Sequence, residues 1–370
     1  MRILIVTHAP LSTEFGASQL AINLGAGLGA HGHGVTLWSP HPLPDGARWW
    51  QTLRAMRARL DKFLAAQESF DVLDCPANLI TRRARRSATT VVARSVQPEL
   101  SYLWASLTER KDRGVIKTLA YLPFESAYFL YNAALLLRGW GRAGRIACLG
   151  SLERQWMSRR FPWWRGKLSH YFVAPSEEDR RALAEVREAR GRTAPDRLRF
   201  LWVGRWTAHK GPRVLLDFIT RWHAERPQDT LTIAGCGAGA EKDCPAELLR
   251  TGTIKVIPSF KRAELYGLLA AHDIGLFTSK SEGWGLSLNE MLESGMPVFA
   301  TRAGGVADLQ SFFETLRPFP PTAEAGLITE GREVSDIYQR TFNWPQVAKT
   351  YVESLSEVGW LFQDEKSAAG

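Results

Sequence analysis

The sequence predicts an α/β protein built as two doubly wound halves, each a parallel sheet wrapped by helices, facing each other across a ligand cleft. Three observations lead there. Short apolar runs, such as residues 3–6, 200–203 and 274–277, alternate with amphipathic stretches of helical length. The alternation restarts after a charged segment, 184–197, that contains Gly191 and Pro195 and reads as a linker. At 370 residues, the chain also exceeds what one hydrophobic core usually holds.

The first half opens with a strand at 2–7, a loop at 7–16 carrying Pro10, Ser12 and Gly16, and a helix with Leu20, Leu24 and Leu28 on one side. A second strand at 34–38 completes the start of a doubly wound sheet, whose ligands gather at the strands' C-terminal ends. His8 and Gly16 fall at that end. A basic helix at 49–66 follows, then strands at 70–73 and 89–93 separated by a loop with Arg82, Arg83, Arg85 and Arg86, a cluster that reads as solvated surface. Strands at 145–149 and 171–173 close this half. In the second half come a strand at 200–203, a helix at 212–225, strands at 230–234 and 254–257, a helix at 262–271 and a strand at 274–277.

Composition bounds the function. With 45% hydrophobic and 23% charged residues, the chain is an ordinary globular one, and no apolar run approaches the roughly 20 residues of a membrane helix. The opening MRILIVTHAP reads as a buried strand and not as a signal peptide. Cys75, Cys148, Cys236 and Cys244 form no CxxC pair, so neither a zinc site nor a disulfide framework is expected, and a cytoplasmic setting is. Residues 1–190 hold 27 Lys and Arg against 16 Asp and Glu, whereas the remainder holds 20 against 22. The net charge of +9 therefore belongs to the first half. There, between 99 and 167, aromatics such as Phe124, Tyr131, Trp156, Trp163 and Trp164 are interleaved with cations such as Arg138, Arg159, Arg160, Arg165 and Lys167. That mixture suits a surface resting on anionic lipid headgroups, at the inner face of a membrane, as well as it suits arginines snorkelling over their own core. Nucleic-acid binding would explain the charge but not the carboxylates described next, and none is expected.

Residues 279–305 carry the most chemistry. The strand at 274–277 stops at a polar loop holding Glu282, Gly283, Trp284 and Gly285. A helix with Leu288, Met291 and Leu292 on one side follows, ended by Gly295 and Pro297 before a strand at 298–300. The first N–H groups of such a helix face a loop without bulky side chains, which makes an anion site. Glu282 and Glu290 flank the same place and can accept hydrogen bonds from sugar hydroxyls, so the ligand implied is anionic and rich in hydroxyls, which a nucleotide-sugar fits better than a simple phosphate. Read as surface alone, they would be a solvated loop acid and an exposed helix acid.

A second constellation follows the strand at 200–203. Gly204 and Arg205 come at once, and Lys210 and Gly211 five residues later, before a helix. The glycines clear space while a guanidinium and an ammonium converge on the strand end, as a departing nucleoside diphosphate requires. No Asp-x-Asp pair is present to hold a metal, so no metal or other cofactor is expected. GCGAG at 235–239 follows the second strand of its half and has no helix promptly behind it, so it reads as a tight turn and not as a dinucleotide site.

VGRWTAHKG (203–211), SEGWGLSLNE (281–290) and GMPVFATRAGG (295–305) resemble the donor domain of family 4 glycosyltransferases of the GT-B fold. The resemblance extends to LTIAGCGAG (231–239), to Phe342-Asn343-Trp344 and, faintly, to Glu14-Phe15-Gly16-Ala17. It implies a retaining, metal-independent transfer of a hexosyl group from a nucleotide-sugar. By that pattern Arg205 and Lys210 hold the diphosphate, helped by Gly204 and the N–H groups of Gly285 and Leu286. Glu282 meets the donor sugar, Glu290 the ribose, Ile257 to Ser259 the base, and Gly16 approaches the phosphate from the other domain. Domains at 1–190, for the acceptor, and 191–345, for the donor, with a helix at 346–370 crossing back, are the arrangement expected. The chain departs from the pattern where many relatives have a histidine near the acceptor. Arg94-Ser95-Val96-Gln97 has none, which leaves His8 and Arg94 as the side-chain candidates there. The acceptor expected is a lipid-linked sugar or a growing surface polysaccharide. A nucleotide-sugar hydrolase or epimerase of the same fold, and a non-catalytic nucleotide-sugar-binding protein, are the alternatives.

Overall fold

The computed structural model describes residues 1–12, 16–43, 46, 48–108, 115–190, 196–322 and 334–355. Glu14 and Phe15 of the first-half motif, Gly191 and Pro195 of the linker, and the last helix beyond residue 355 lie outside them. The chain divides into two compact units, Met1–Ala174 with Thr341–Gly370, and Pro175–Arg340.

In the first unit, strands β1 (Arg2–Val6), β2 (Gly34–Trp38), β3 (Phe70–Cys75), β4 (Ala88–Arg94), β5 (Arg145–Leu149) and β6 (Leu168–Tyr171) form one parallel sheet in the order β2-β1-β3-β4-β5-β6. Parallel strands need crossovers, and helices supply them, so central strands are covered on both faces and run nearly unbroken in apolar residues. Ile3, Leu4, Ile5 and Val6 are all buried accordingly. One layer of the core packs Leu60, Leu64 and Leu79 with Leu136, Trp140 and Met157.

The second unit holds β7 (Arg199–Val203), β8 (Thr230–Ala234), β9 (Ile254–Ile257), β10 (Ile274–Phe277), β11 (Val298–Ala300) and β12 (Leu316–Pro318), again all parallel, in the order β12-β11-β10-β7-β8-β9. The chain winds outward from β7 through β8 and β9, then returns to lay β10 on the other side of β7, with Ile274 opposite Phe200. The strand order reverses between β7 and β10. Connections leave these two carboxyl ends in opposite directions, and the gap between them is where ligands of doubly wound sheets bind.

Several details differ from the sequence reading. The linker was expected at 184–197, but residues up to 189 continue the helix Glu177–Ala189. Ser176 caps it by accepting the Asp179 N–H at 3.1 Å, and three acids in its first turn favour a helix start. The basic stretch at 82–86, expected as a loop, is a short helix capped by the Thr81 hydroxyl. β6 pairs with β5 through Leu168 opposite Ile146, which moves the strand ahead of the expected 171–173. β12 is an edge strand of three residues, too short to give a sequence signal.

Candidate functional site

The loops after β7 and β10 meet at the reversal point. Gly211, with φ at +71°, adopts a left-handed conformation and lies so close to the Thr278 carbonyl that any Cβ would collide with it. Three polar contacts fasten the same loops: Thr278 Oγ1 donates to the Lys210 carbonyl at 2.9 Å, Trp202 Nε1 donates to Thr278 Oγ1 at 3.0 Å, and the Lys280 N–H donates to the His209 carbonyl at 2.7 Å. This fastening carries Lys210 across to the β10 loop, where its ammonium donates to Glu282 Oε2. Their side chains are 15% and 16% exposed, so the pair is accessible at one edge. Ser279 also donates to Glu282 Oε2, at 3.2 Å. His209 beneath them has its imidazole pKa lowered by burial, against the pull of Glu282, so it is neutral near pH 7.

The helix Leu286–Glu293 starts at Gly285, whose φ of +93° no ordinary residue adopts readily and whose missing side chain leaves room for the Phe277 ring. No side chain caps this end. Its first N–H groups lack intrahelical acceptors and form the positive end of the helix dipole, three residues on from Glu282. Behind the loop, the Gly305 N–H donates to the Trp284 carbonyl at 2.8 Å, and a Cβ on Gly304 would collide with that carbonyl. The glycine pair after β11 exists to let the two loops nest.

Other residues named from the sequence lie on or at the ends of β7, β9 and β10 and the loops that follow them. Gly204 sits at the end of β7, within reach of the Lys210 stem, and Arg205 is exposed beside it. Gly283 is buried in the loop. Trp284 is 3% exposed, its indole N–H donating to Asn289 at 2.7 Å, so its side chain supports the loop from inside. Ile257 is half-buried and Ser259 exposed at the end of β9. The left-handed Gly235 and Gly237 of GCGAG hold that segment by donating to the Ile257 and Pro258 carbonyls at 2.9 and 2.8 Å.

Glu290 is buried, and not the exposed helix acid that a surface reading gives. Burial raises its pKa while Arg262 opposes that rise, donating to Oε1 from NH1 at 2.5 Å. Arg262 also grips Asp179 Oδ1 at 2.8 to 2.9 Å, and Tyr266 and Ser176 donate to the same carboxylate at 2.6 and 2.7 Å. Sequence reading missed this cluster because Asp179 and Glu290 are far apart in the chain. The only local signal was Ser176 before an acidic first turn.

In the first unit, Arg94 is 1% exposed at the end of β4, its Nε donating to Asp74 Oδ1 at 2.5 Å and its NH2 to the Val6 carbonyl at 3.1 Å. It is thus an internal cation. His8 lies at the end of β1, its pKa lowered by burial, Arg94 and His41. Gly16 is the exposed first residue of the helix Gly16–Ala30. A group that no motif announced is Glu153, buried after β5, which accepts from Ser95 Oγ at 2.7 Å and from the Leu149 N–H at 2.6 Å. Burial pushes its pKa up to about 7 despite those donors.

Two parallel six-stranded α/β units, the second with an anion-ready helix end at its reversal point, are the GT-B fold. Residues 186–322, the stretch holding that site, match the family described as glycosyl transferases group 1. A D-inositol 3-phosphate glycosyltransferase of Arthrobacter sp. (strain FB24) is 28% identical over 177 residues, which is 45% of this chain and 40% of that protein. The chain thus matches less than half the length of this curated relative. Among solved structures, sucrose-phosphate synthase from Thermosynechococcus elongatus aligns over 100% of both chains with 16% identity and a TM-score of 0.62. The lipopolysaccharide outer core galactosyltransferase WaaB aligns over 96% of this chain and 99% of its own, with 14% identity and a TM-score of 0.64.

Proposed function

We propose that the protein is a retaining glycosyltransferase that moves a hexosyl group from a nucleotide-sugar to a lipid-linked sugar or polysaccharide in cell-surface glycan synthesis. The observation that carries this reading is the Lys210–Glu282 pair beside an uncapped helix start at the β7/β10 reversal. A cation and unpaired N–H groups suit a diphosphate, and a carboxylate fixed between Lys210 and Ser279 suits sugar hydroxyls. Arg205 joins Lys210 on the departing phosphate, and charge neutralisation by these two needs no metal. When the acceptor oxygen attacks the anomeric carbon on the leaving-group side, the bond to phosphate oxygen breaks and that oxygen takes the acceptor's proton. No side-chain base is required in this scheme, which accords with Arg94 being internal.

Isothermal titration with UDP-, GDP- and ADP-sugars tests the donor site. Lys210→Ala or Arg205→Ala is expected to weaken binding about 10- to 100-fold, the loss of one charge-assisted contact; binding untouched by both would overturn the assignment. For the acceptor side, the support is a surface where Trp163 is 69% exposed beside exposed Arg159, Arg160 and Arg165. No helix among the described residues is long and apolar enough to cross a membrane. Peripheral attachment to the inner face of an anionic membrane is the location this reading favours.

A further inference from the structure

We propose that Arg262 is a positioning residue for the ribose subsite of the donor: held by Asp179, it fixes Glu290 in the orientation and charge state that accept the ribose hydroxyls. The inference rests on the reading that Glu290 meets ribose, and it adds a residue outside the recognised motifs.

The geometry is that of a relay with one rigid end. Asp179 is anchored by two hydroxyls, Tyr266 at 2.6 Å and Ser176 at 2.7 Å, besides Arg262. Although burial acts against it, these hydrogen bonds and Arg262 keep Asp179 below the usual carboxylate range, so it is a permanent anion. Arg262 lays Nε and NH2 on that anion and has NH1 left for Glu290. A guanidinium is planar, so fixing one edge fixes the other. Glu290 Oε1 is thereby committed to Arg262, and the carboxylate cannot rotate freely about its last torsion. A lysine at 262 could supply charge but not this double grip.

Charge state follows from the same contacts. Burial favours the protonated form of Glu290, as does the neighbouring carboxylate Asp179, while Arg262 and, to a smaller degree, Lys210 favour the anion. Arg262 is the largest of the favourable influences. Removing it leaves a buried carboxyl that keeps its proton to higher pH and turns as it pleases. A neutral, mobile carboxyl is a poorer acceptor for a vicinal diol than a fixed anion.

The test compares binding of a nucleoside diphosphate with its 2′,3′-dideoxy counterpart, using whichever of UDP, GDP and ADP binds tightest. The ratio cancels effects on the phosphates, including their own titration. Wild-type protein is expected to prefer the ribo form about 10-fold or more, with a weaker pH dependence than the Arg262→Ala variant. Arg262→Ala should reduce that preference to near unity at pH 7, leave dideoxy binding within about 2-fold, and regain part of the preference as pH rises and Glu290 ionises. Arg262→Lys should give an intermediate preference that does not depend on pH. Tyr266→Phe, a milder change that loosens Asp179, should show a smaller loss and covers the case in which Arg262→Ala fails to fold. Full preference retained in Arg262→Ala, or an equal loss of both ligands at every pH, would overturn the proposal in favour of a purely structural ion pair. Wild-type protein that binds diphosphates without distinguishing ribose would overturn it while leaving the diphosphate site standing. Absence of any nucleotide binding would remove both.

Discussion

Lys210 and Glu282 compensate one another's charge in the free protein, and a donor must separate that pair or bridge it. Glu282→Gln is therefore expected to raise affinity for the bare diphosphate, by freeing the ammonium, while lowering turnover of the sugar donor; parallel titration and rate measurements would show the split. Gly211 is the least replaceable backbone position nearby. Gly211→Ala combines a left-handed backbone with a collision against the Thr278 carbonyl and should destabilise the second unit by about 2 kcal/mol or more, read from denaturant midpoints. Glu153 makes a pH prediction for the first unit. Its folded pKa of about 7 lies above the ordinary 4.5, so it binds its proton more tightly folded than unfolded. That contribution to stability is complete below pH 4.5 and is lost as pH rises to about 7, up to about 3 kcal/mol in all. Denaturation of the Glu153→Gln variant should show a flatter pH dependence over this window.

Elements that hold the candidate site were legible because each carried its own local signature. β7 and β10 are continuous apolar runs, the helix between Gly285 and Gly295 has both ends marked, and Arg205, Lys210, Glu282 and Glu290 all lie within a few residues of a strand end or helix start. What escaped was contact across the sheet. Nothing adjacent to Arg262 in sequence shows that it will bridge Asp179 and Glu290, and nothing around Glu153 shows that it will be sealed beneath Ser95. Residues 184–189, the end of the helix Glu177–Ala189, were misread as linker because their Arg and Glu content outweighs their few apolar positions. Leu183 and Val186 bury one narrow stripe, while Arg187 and Arg190 reach the carbonyls of Glu293 and Ser294 at 2.6 and 3.1 Å. In the first unit the helix Trp344–Glu353 packs on the helix Gly16–Ala30 at Gly27, where a Cβ would stand 2.5 Å from the Trp344 carbonyl. Gly27→Ala should lift this helix and speed hydrogen exchange in 344–353, with the second unit unaffected.

At the scale of the whole molecule, charge and apolar exposure coincide in the first unit. Phe124, Leu130 and Leu137 project from the helix Val115–Arg142, and Trp163 from the turn Pro162–Lys167. Co-sedimentation with anionic liposomes is expected to weaken as salt rises and to fall on changing Arg159, Arg160 and Arg165 to Ser; equal binding to neutral vesicles would count against headgroup attraction. The same unit is discontinuous in sequence. Tyr351 donates to Asp74, the carboxylate that also holds Arg94, across a separation of 277 residues. During synthesis, therefore, β1 to β6 emerge with that buried ion pair missing its third member, while every strand of the second unit is released before Tyr351 appears. The second unit has all its strands first, and the first unit waits for Tyr351. A chain stopped after Arg340 should accordingly keep protected amides in 196–322 and lose protection in β3 and β4, a vectorial order of assembly imposed by one tyrosine hydroxyl and the helix that delivers it.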